Sequence, residues 1–455
     1  MVNNLRVDCC IVGMGPAGIG AALTLLEKQD ELTLACIDVG DVVEKRFCSV
    51  LQKRICTKEI SCNIITGFGG CSLLSGGKIS LFPAGSKLGN ILGSVDEAKK
   101  CLNEAKEKWG GLLGRDLPYI YRNTVKKQKH FEKIGFNYKH YEAYTFSEME
   151  IRNVYKAIQE KIEQSKNWLA GCELLNIKHT EEQYVLYCRH QEGDLVIEAK
   201  RVVFAPGRWG RQTLKMLNKT LGLGAKPSKM DVGVRLEIPT EIVSELIEDH
   251  EDLKLTFDDA RTYCVCKGGK VASYYLEGIG FTEGFFDATH QTNQTNFAIL
   301  TRVDSSQCND EVFEEIKRRS LAYSKGMPVV QSLKGYLESK QGSCEFMTSS
   351  GKSLSVAVEG EIKHIFPETI GERIKNSVIY FLEKTIDKQY WDQVKVYGPE
   401  VDYNGLVFPV NPDFSVQKDI YIIGSGTGHF RGILQAFCSG IICGESLLKT
   451  VKNND

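Results

Sequence analysis

The sequence predicts an α/β fold in which a Rossmann-type unit, split into two pieces, carries an inserted α+β unit. Three observations point there. A strand-like run passes through Gly13-Met14-Gly15-Pro16-Ala17-Gly18 into a helix-like run. A second strand, glycine-rich turn and helix span Asp419 to about Lys449. Beyond Lys226, strand-like and helix-like runs of a different pattern intervene.

The chain has 455 residues, room for two or three domain-sized units. A net charge of −1 and 25% charged residues suggest neither a nucleic-acid footprint nor a polybasic membrane patch. The 43 glycines against 11 prolines require a local explanation rather than disorder. With no secretory signal apparent, the 16 cysteines read as reduced thiols of a cytoplasmic protein. The eighteen uncharged residues from Cys9 to Leu26 have the length of a membrane span. Five glycine or proline positions from Gly13 to Gly20 interrupt them, so strand, turn and helix fit better.

In the first piece, Val7 to Val12 suits a buried strand and Ile19 to Lys28 a helix. Gly13 permits the sharp turn, Gly15 lets the backbone approach a pyrophosphate, and Gly18 allows the helix to pack on the sheet. Pro16 and Ala17 sit where the helix N-terminus offers free N–H groups and partial positive charge to phosphate. Leu32 to Ile37 forms a second strand, and Asp38 at its end is placed to accept hydrogen bonds from ribose hydroxyls.

The last piece runs from strand Asp419–Ile423 through Gly424-Ser425-Gly426-Thr427-Gly428-His429-Phe430-Arg431-Gly432 to a helix opening at Ile433. Here the sequence resembles the glutathione-reductase-type FAD superfamily. That resemblance implies bound FAD, with the terminal helix facing the flavin pyrimidine ring, where its dipole favours negative charge. Arg201 to Gly207 looks like that superfamily's middle strand and turn, with Ala205 and Gly207 beside the cofactor. The run Gly67 to Lys78 is similar to the flavin-side loop of a largely uncharacterised FAD-dependent dehydrogenase family. That resemblance implies that Gly69, Gly70, Ser75, Gly76, Gly77 and Lys78 bind the cofactor. Arg261-Thr262-Tyr263-Cys264-Val265-Cys266-Lys267-Gly268-Gly269, Val232 to Arg235 and Asn296 to Leu300 resemble further elements of that family, in order. Three departures matter. Ser425 stands where the superfamily has an acid, Pro206 replaces a threonine, and Lys267 replaces a proline.

Ser94-Val95-Asp96-Glu97 resembles a capping box opening a helix that stops near Gly110-Gly111. Helices are also expected over 126–133, 149–165, 241–248, 310–324 and 370–386, and a strand meander over 174–204. Strands are expected at 232–238, 262–266, 270–276 and 297–303. The cofactor unit then comprises 1–223, with a helical insertion at about 94–145, and 399–455; residues 224–398 form a substrate domain. The active site belongs where the two meet.

His429 is placed to accept a substrate proton, or simply to cap the terminal helix. Arg431 suits a substrate carboxylate or the flavin C2 carbonyl, and Lys78 the flavin or its pyrophosphate, or solvent. On a regular strand Cys264 and Cys266 share one face, as a redox pair or as two small apolar residues. Cys48, Cys56, Cys62 and Cys71 lack a Cys-x2-Cys hairpin, so no metal site is expected. No second GxGxxG of comparable quality appears. The expected function is an FAD-dependent dehydrogenase or oxidase passing a hydride from a small organic substrate to flavin N5. The alternatives are an ene- or imine-reductase fed by NAD(P)H or by flavodoxin or ferredoxin, and a flavin-bound binding protein without catalysis.

Overall fold

The parallel sheet is built outward from strand Asn3–Val12, whose Cys9, Cys10 and Ile11 are fully enclosed. In the computed structural model, the described residues are 3–28, 32–52, 56, 61–74, 77–118, 124–164, 168–248, 252–304, 306–338, 353–354 and 356–452. Asn3–Val12 pairs in parallel with Leu34–Asp38 on one side and Gly193–Phe204 on the other. Trp168–Ala170 extends the sheet beyond Leu34–Asp38, and Ile420–Ile422 joins it alongside the end of Gly193–Phe204. Residues more than two hundred positions apart in sequence therefore share one sheet. This is the Rossmann-type α/β unit expected, and it is discontinuous. The meander is present as Glu173–His179, Tyr184–His190 and Gly193–Phe204.

Helix Pro16–Lys28 begins at its proline, which suits a first-turn position with no N–H to satisfy. It packs against the terminal helix Ile433–Lys452 with backbones in contact. A Cβ on Gly20 would lie 2.4 Å from the Phe437 carbonyl oxygen, and one on Gly440 would lie 2.0 Å from that of Ala17. Part of the glycine excess is thus a helix–helix seam. Helix Val95–Leu113 covers the seam, with the Trp109 and Phe437 rings edge to face at 5.1 Å. It opens at Ser94 as expected but continues through Gly110-Gly111 to a left-handed cap at Gly114. Gly110 instead admits close approach of the Arg115 carbonyl, 2.8 Å from where its Cβ would stand.

The inserted α+β unit has a mainly antiparallel sheet ordered Val358–Glu359, Val329–Ser332, Lys395–Tyr403, Met230–Pro239, Gln294–Arg302, Ala260–Cys266, Lys254–Phe257 and Asn137–Lys139. Its central strand, Met230–Pro239, is buried along nearly its whole length and carries Asp231, Arg235 and Glu237 inside. Helix Glu368–Thr385 packs on it, with Phe381 against Phe297 at 5.3 Å. Three details differ from expectation. Within 241–248 only Ser244–Ile247 is helical. Lys395–Tyr403 crosses residue 398 as one strand, and Asn137–Lys139 from the helical insertion forms this sheet's edge. Among the described residues no helix is long and apolar enough to cross a membrane.

Candidate functional site

Four glycine-rich turns meet at the carboxyl ends of the parallel strands. Gly13 has φ +100°, and a Cβ there would stand 2.4 Å from the Ala205 carbonyl oxygen. A Cβ on Gly70 would lie 3.0 Å from the Gly15 Cα, and one on Gly424 would lie 2.8 Å from the Ala17 methyl. Gly207 faces the Ser425 hydroxyl, and Gly426 faces Pro206. Gly15 differs from its neighbours: its Cβ position meets nothing nearer than 3.8 Å. Gly18, by contrast, is packed shut, 2.0 Å from the Gly13 carbonyl oxygen. The ring of turns therefore brings backbone close to backbone and leaves space at Gly15, as it does at Gly207, whose Cβ position also meets nothing nearer than 3.8 Å. First-turn N–H groups of Ala17 and Gly18 have no carbonyl partner within their helix. An open glycine at a helix N-terminus, ringed by backbone, suits the pyrophosphate of a dinucleotide.

Asp38 is buried, and its two oxygens accept 2.8 Å bonds from the backbone N–H groups of Met14, Gly40 and Gly67. The carboxylate that sequence reasoning gave to ribose thus ties three loops of the cradle together. Arg46, which the sequence did not single out, does similar work. Fully buried, it donates to the carbonyls of Phe68 and Asn63 at 2.5 Å, and burial lowers its pKa to about 10. Ser72 bonds the Gly69 carbonyl at 2.6 Å and the Tyr155 hydroxyl at 2.5 Å, which fixes the Gly69-Gly70 turn. Gly77 packs on Ile151, whereas Ser75 and Gly76 lie outside the described residues.

Lys78 is turned into the junction of the two sheets. Its ammonium lies 3.0 Å from Asp252 and donates to the Val265 carbonyl at 2.8 Å. In the last piece, the Gly424 N–H reaches Ser439, and Asn404 donates to the Ser425 carbonyl at 3.1 Å. His429 Nε2 donates to the Phe408 carbonyl at 2.7 Å, which leaves Nδ1 as the acceptor of the neutral ring. Gly432, at φ +111°, turns the chain into the helix at Ile433.

Charged side chains gather where the sheets face each other, and most of them were invisible in the sequence. Asp402 pairs with Arg431, Arg261 and Arg208. Arg208 also donates to the Tyr263 hydroxyl at 2.9 Å. Asp231 takes Arg261 and Arg302. Behind them Arg235, wholly buried, makes a two-point contact with Glu400 at 2.7 and 2.5 Å, and Glu400 holds it charged against burial. Arg208 directly follows Gly207 and Arg431 directly precedes Gly432, an adjacency that was the one available signal for Arg208.

The cysteine pair corrects an expectation. The strand register shifts between Tyr263 and Cys266, and Cys264 adopts φ +48°, so the alternation assumed for a shared face is broken. Both thiols are free. A hydrogen bond from Cys264, with Lys78 and Arg235 nearby, lowers the pKa of Cys266, while the same bond and burial raise that of Cys264. Among the described residues no group of His, Cys, Asp and Glu is arranged to hold a metal ion.

No family model matches the chain. An uncharacterized protein of Clostridium beijerinckii is 23% identical, over 98% of this chain and 82% of its own length. Among solved structures, quinol fumarate reductase FrdA of E. coli aligns with 11% identity and a TM-score of 0.45, over 100% of this chain and 72% of its own. A geranylgeranyl bacteriochlorophyll reductase-like protein of Thermoplasma acidophilum aligns with 10% identity and a TM-score of 0.42, over 100% and 80%. For p-nitrophenol 4-monooxygenase PnpA of Pseudomonas putida the values are 10% and 0.38, over 100% and 82%. Likenesses at this level carry no argument about activity.

Proposed function

We propose that the chain is an FAD-dependent oxidoreductase acting on a small organic substrate. The observation that carries this reading is the ring of four glycine-rich turns that leaves space at Gly15, beside the N-terminus of helix Pro16–Lys28. When bound, FAD supplies the redox chemistry by taking a hydride at N5. The chain's residues do the rest. The helix N-terminus at Ala17 and Gly18 receives the pyrophosphate, and the terminal helix at Ile433 presents its positive end to the flavin. Ser425 offers a hydroxyl where an acid would give a charge-assisted bond, so the ribityl chain is held less strongly there. Substrate enters between the two sheets, with residues 1–223 on one side and residues 224 to about 403 on the other. His429, held by the Phe408 carbonyl, keeps Nδ1 as proton acceptor.

The test is the visible spectrum of the purified protein, followed by identification of the cofactor that heat releases. Flavin bands with free FAD are expected; a colourless chain that takes up no added FAD overturns the reading. Anaerobic mixing with NADPH then fixes the direction. Slow or no bleaching agrees with a substrate-reduced dehydrogenase or oxidase. Rapid bleaching makes the chain a reductase fed by NAD(P)H.

A further inference from the structure

At the junction of the sheets, one carboxylate serves three guanidiniums. Asp402 is 3% exposed and pairs with Arg208 and Arg431 from the glycine-rich turns and with Arg261 from the inserted sheet. Asp231 is likewise divided between Arg261 and Arg302. Lys254 joins them, half-buried, with its ammonium 5.7 Å from the centre of the Tyr263 ring. Among the described residues that ammonium has no hydrogen bond and no ion pair. Six cations (Arg208, Arg261, Arg302, Arg431, Lys254 and Lys78) thus face four acids: Asp231, Asp402, the Glu283 that contacts Arg208, and the Asp252 that pairs with Lys78 and attracts Lys254.

Positive charge left over in a partly desolvated site is costly until an anion arrives. The neighbouring lysines register that excess. Burial and then the Arg261 charge push Lys254 down to about 7, and Lys87 is lowered by burial and then by Arg431, Arg261 and Arg302. The side chains of Arg302 and Arg431 remain 37% and 32% exposed, so the cluster is reached from solvent.

We propose that this cluster is the subsite for a small organic carboxylate, held by Lys254 and by the guanidinium edges that Asp231 and Asp402 leave free. The chemistry favours a carboxylate because the arginines already present their planar forks to two of them. For the reaction this inference rests on the oxidoreductase reading, and it gives that enzyme an anionic substrate. For binding it stands alone.

The experiment titrates the purified protein with succinate, acetate, inorganic phosphate and ethylamine, following both flavin absorbance and tryptophan fluorescence. Trp209 lies under the Arg208 guanidinium at 4.1 Å and reports on the site without needing flavin. Succinate and acetate are expected to give saturable changes and ethylamine none. Lys254→Met should weaken succinate binding by about tenfold or more, as loss of a charge-assisted bond does. The same variant should melt at a higher temperature, because it removes an unpaired charge. Ion pairs that only join the sheets would leave succinate affinity unchanged in Lys254→Met, and that result overturns the proposal. So does a response to ethylamine alone, and phosphate binding more tightly than either carboxylate overturns the choice of ligand. Saturable succinate binding in a chain with no flavin would uphold the subsite and sink the cofactor reading; flavin bands with no carboxylate response would do the reverse.

Discussion

At the end of the parallel sheet the chain presents backbone, whereas the inserted sheet brings charged side chains to the same junction. The first surface is made of turns so close that added Cβ atoms would collide at Gly13, Gly18 and Gly424. There Asp38 accepts hydrogen bonds from the backbone N–H groups of three loops. The second surface is carried by Asp231, Arg235, Arg261, Glu400 and Asp402, and only Arg208 and Arg431 reach it from the glycine-rich turns. The difference separates two kinds of recognition. On the proposed reading, the backbone surface would meet a cofactor by shape and helix dipole, and the charged surface a particular substrate by placed charges.

The largest expected effect breaks the backbone surface itself. Gly18→Ala puts a methyl 2.0 Å from the Gly13 carbonyl oxygen, where only backbone can yield. A loss on the order of 3 kcal/mol or more is expected; a melting temperature within a degree of wild type would contradict the packing. On the charged surface, Arg235→Leu strands Glu400 in the interior and should cost about 3–5 kcal/mol in urea unfolding. Adding Glu400→Leu to that variant should recover much of the loss.

A pH series on Lys254→Met sharpens the comparison. The lysine's pKa is lowered on folding from 10.5 to about 7, so the unfolded chain binds the extra proton between those values. Its destabilising effect is therefore full below about pH 7 and shrinks as pH rises toward 10.5. The stability gained by the variant should be greatest at pH 6 and fade by pH 10; a gain that grows with pH would refute the assignment. The smallest effect belongs to the rim of the parallel sheet, where Lys200 pairs with Asp8 at 2.8 Å and is itself 66% exposed. Lys200→Ala should change stability by about 0.2–1 kcal/mol, and less in high salt.

The same division explains what the sequence made legible. Gly13, Gly15 and Gly18 are read directly because a turn that must lack side chains has only glycine to use. The terminal strand and helix were readable for the same reason, and so was the discontinuity of the Rossmann-type unit. The extent of helix Val95–Leu113 was not, since Gly110-Gly111 marks a close approach rather than a stop. Nor was the bulge at Cys264, because a non-glycine residue at φ +48° leaves no trace in composition. The charge cluster was hidden by distance: residues 208, 231, 254, 261, 302, 402 and 431 come from seven separate places in the chain. Lys395–Tyr403, which supplies Asp402, lies across the expected domain boundary.

The central claim is that backbone at the strand ends holds FAD, and Gly15 isolates it. Its Cβ position is free of protein contacts closer than 3.8 Å, so Gly15→Val should fold and melt close to wild type. The measurement is FAD binding to wild type and Gly15→Val, with melting temperatures taken alongside. A yellow wild type and a folded but colourless Gly15→Val would uphold the account. A Gly15→Val protein that binds FAD as tightly as wild type would mean that the opening at Gly15 is not where the cofactor sits.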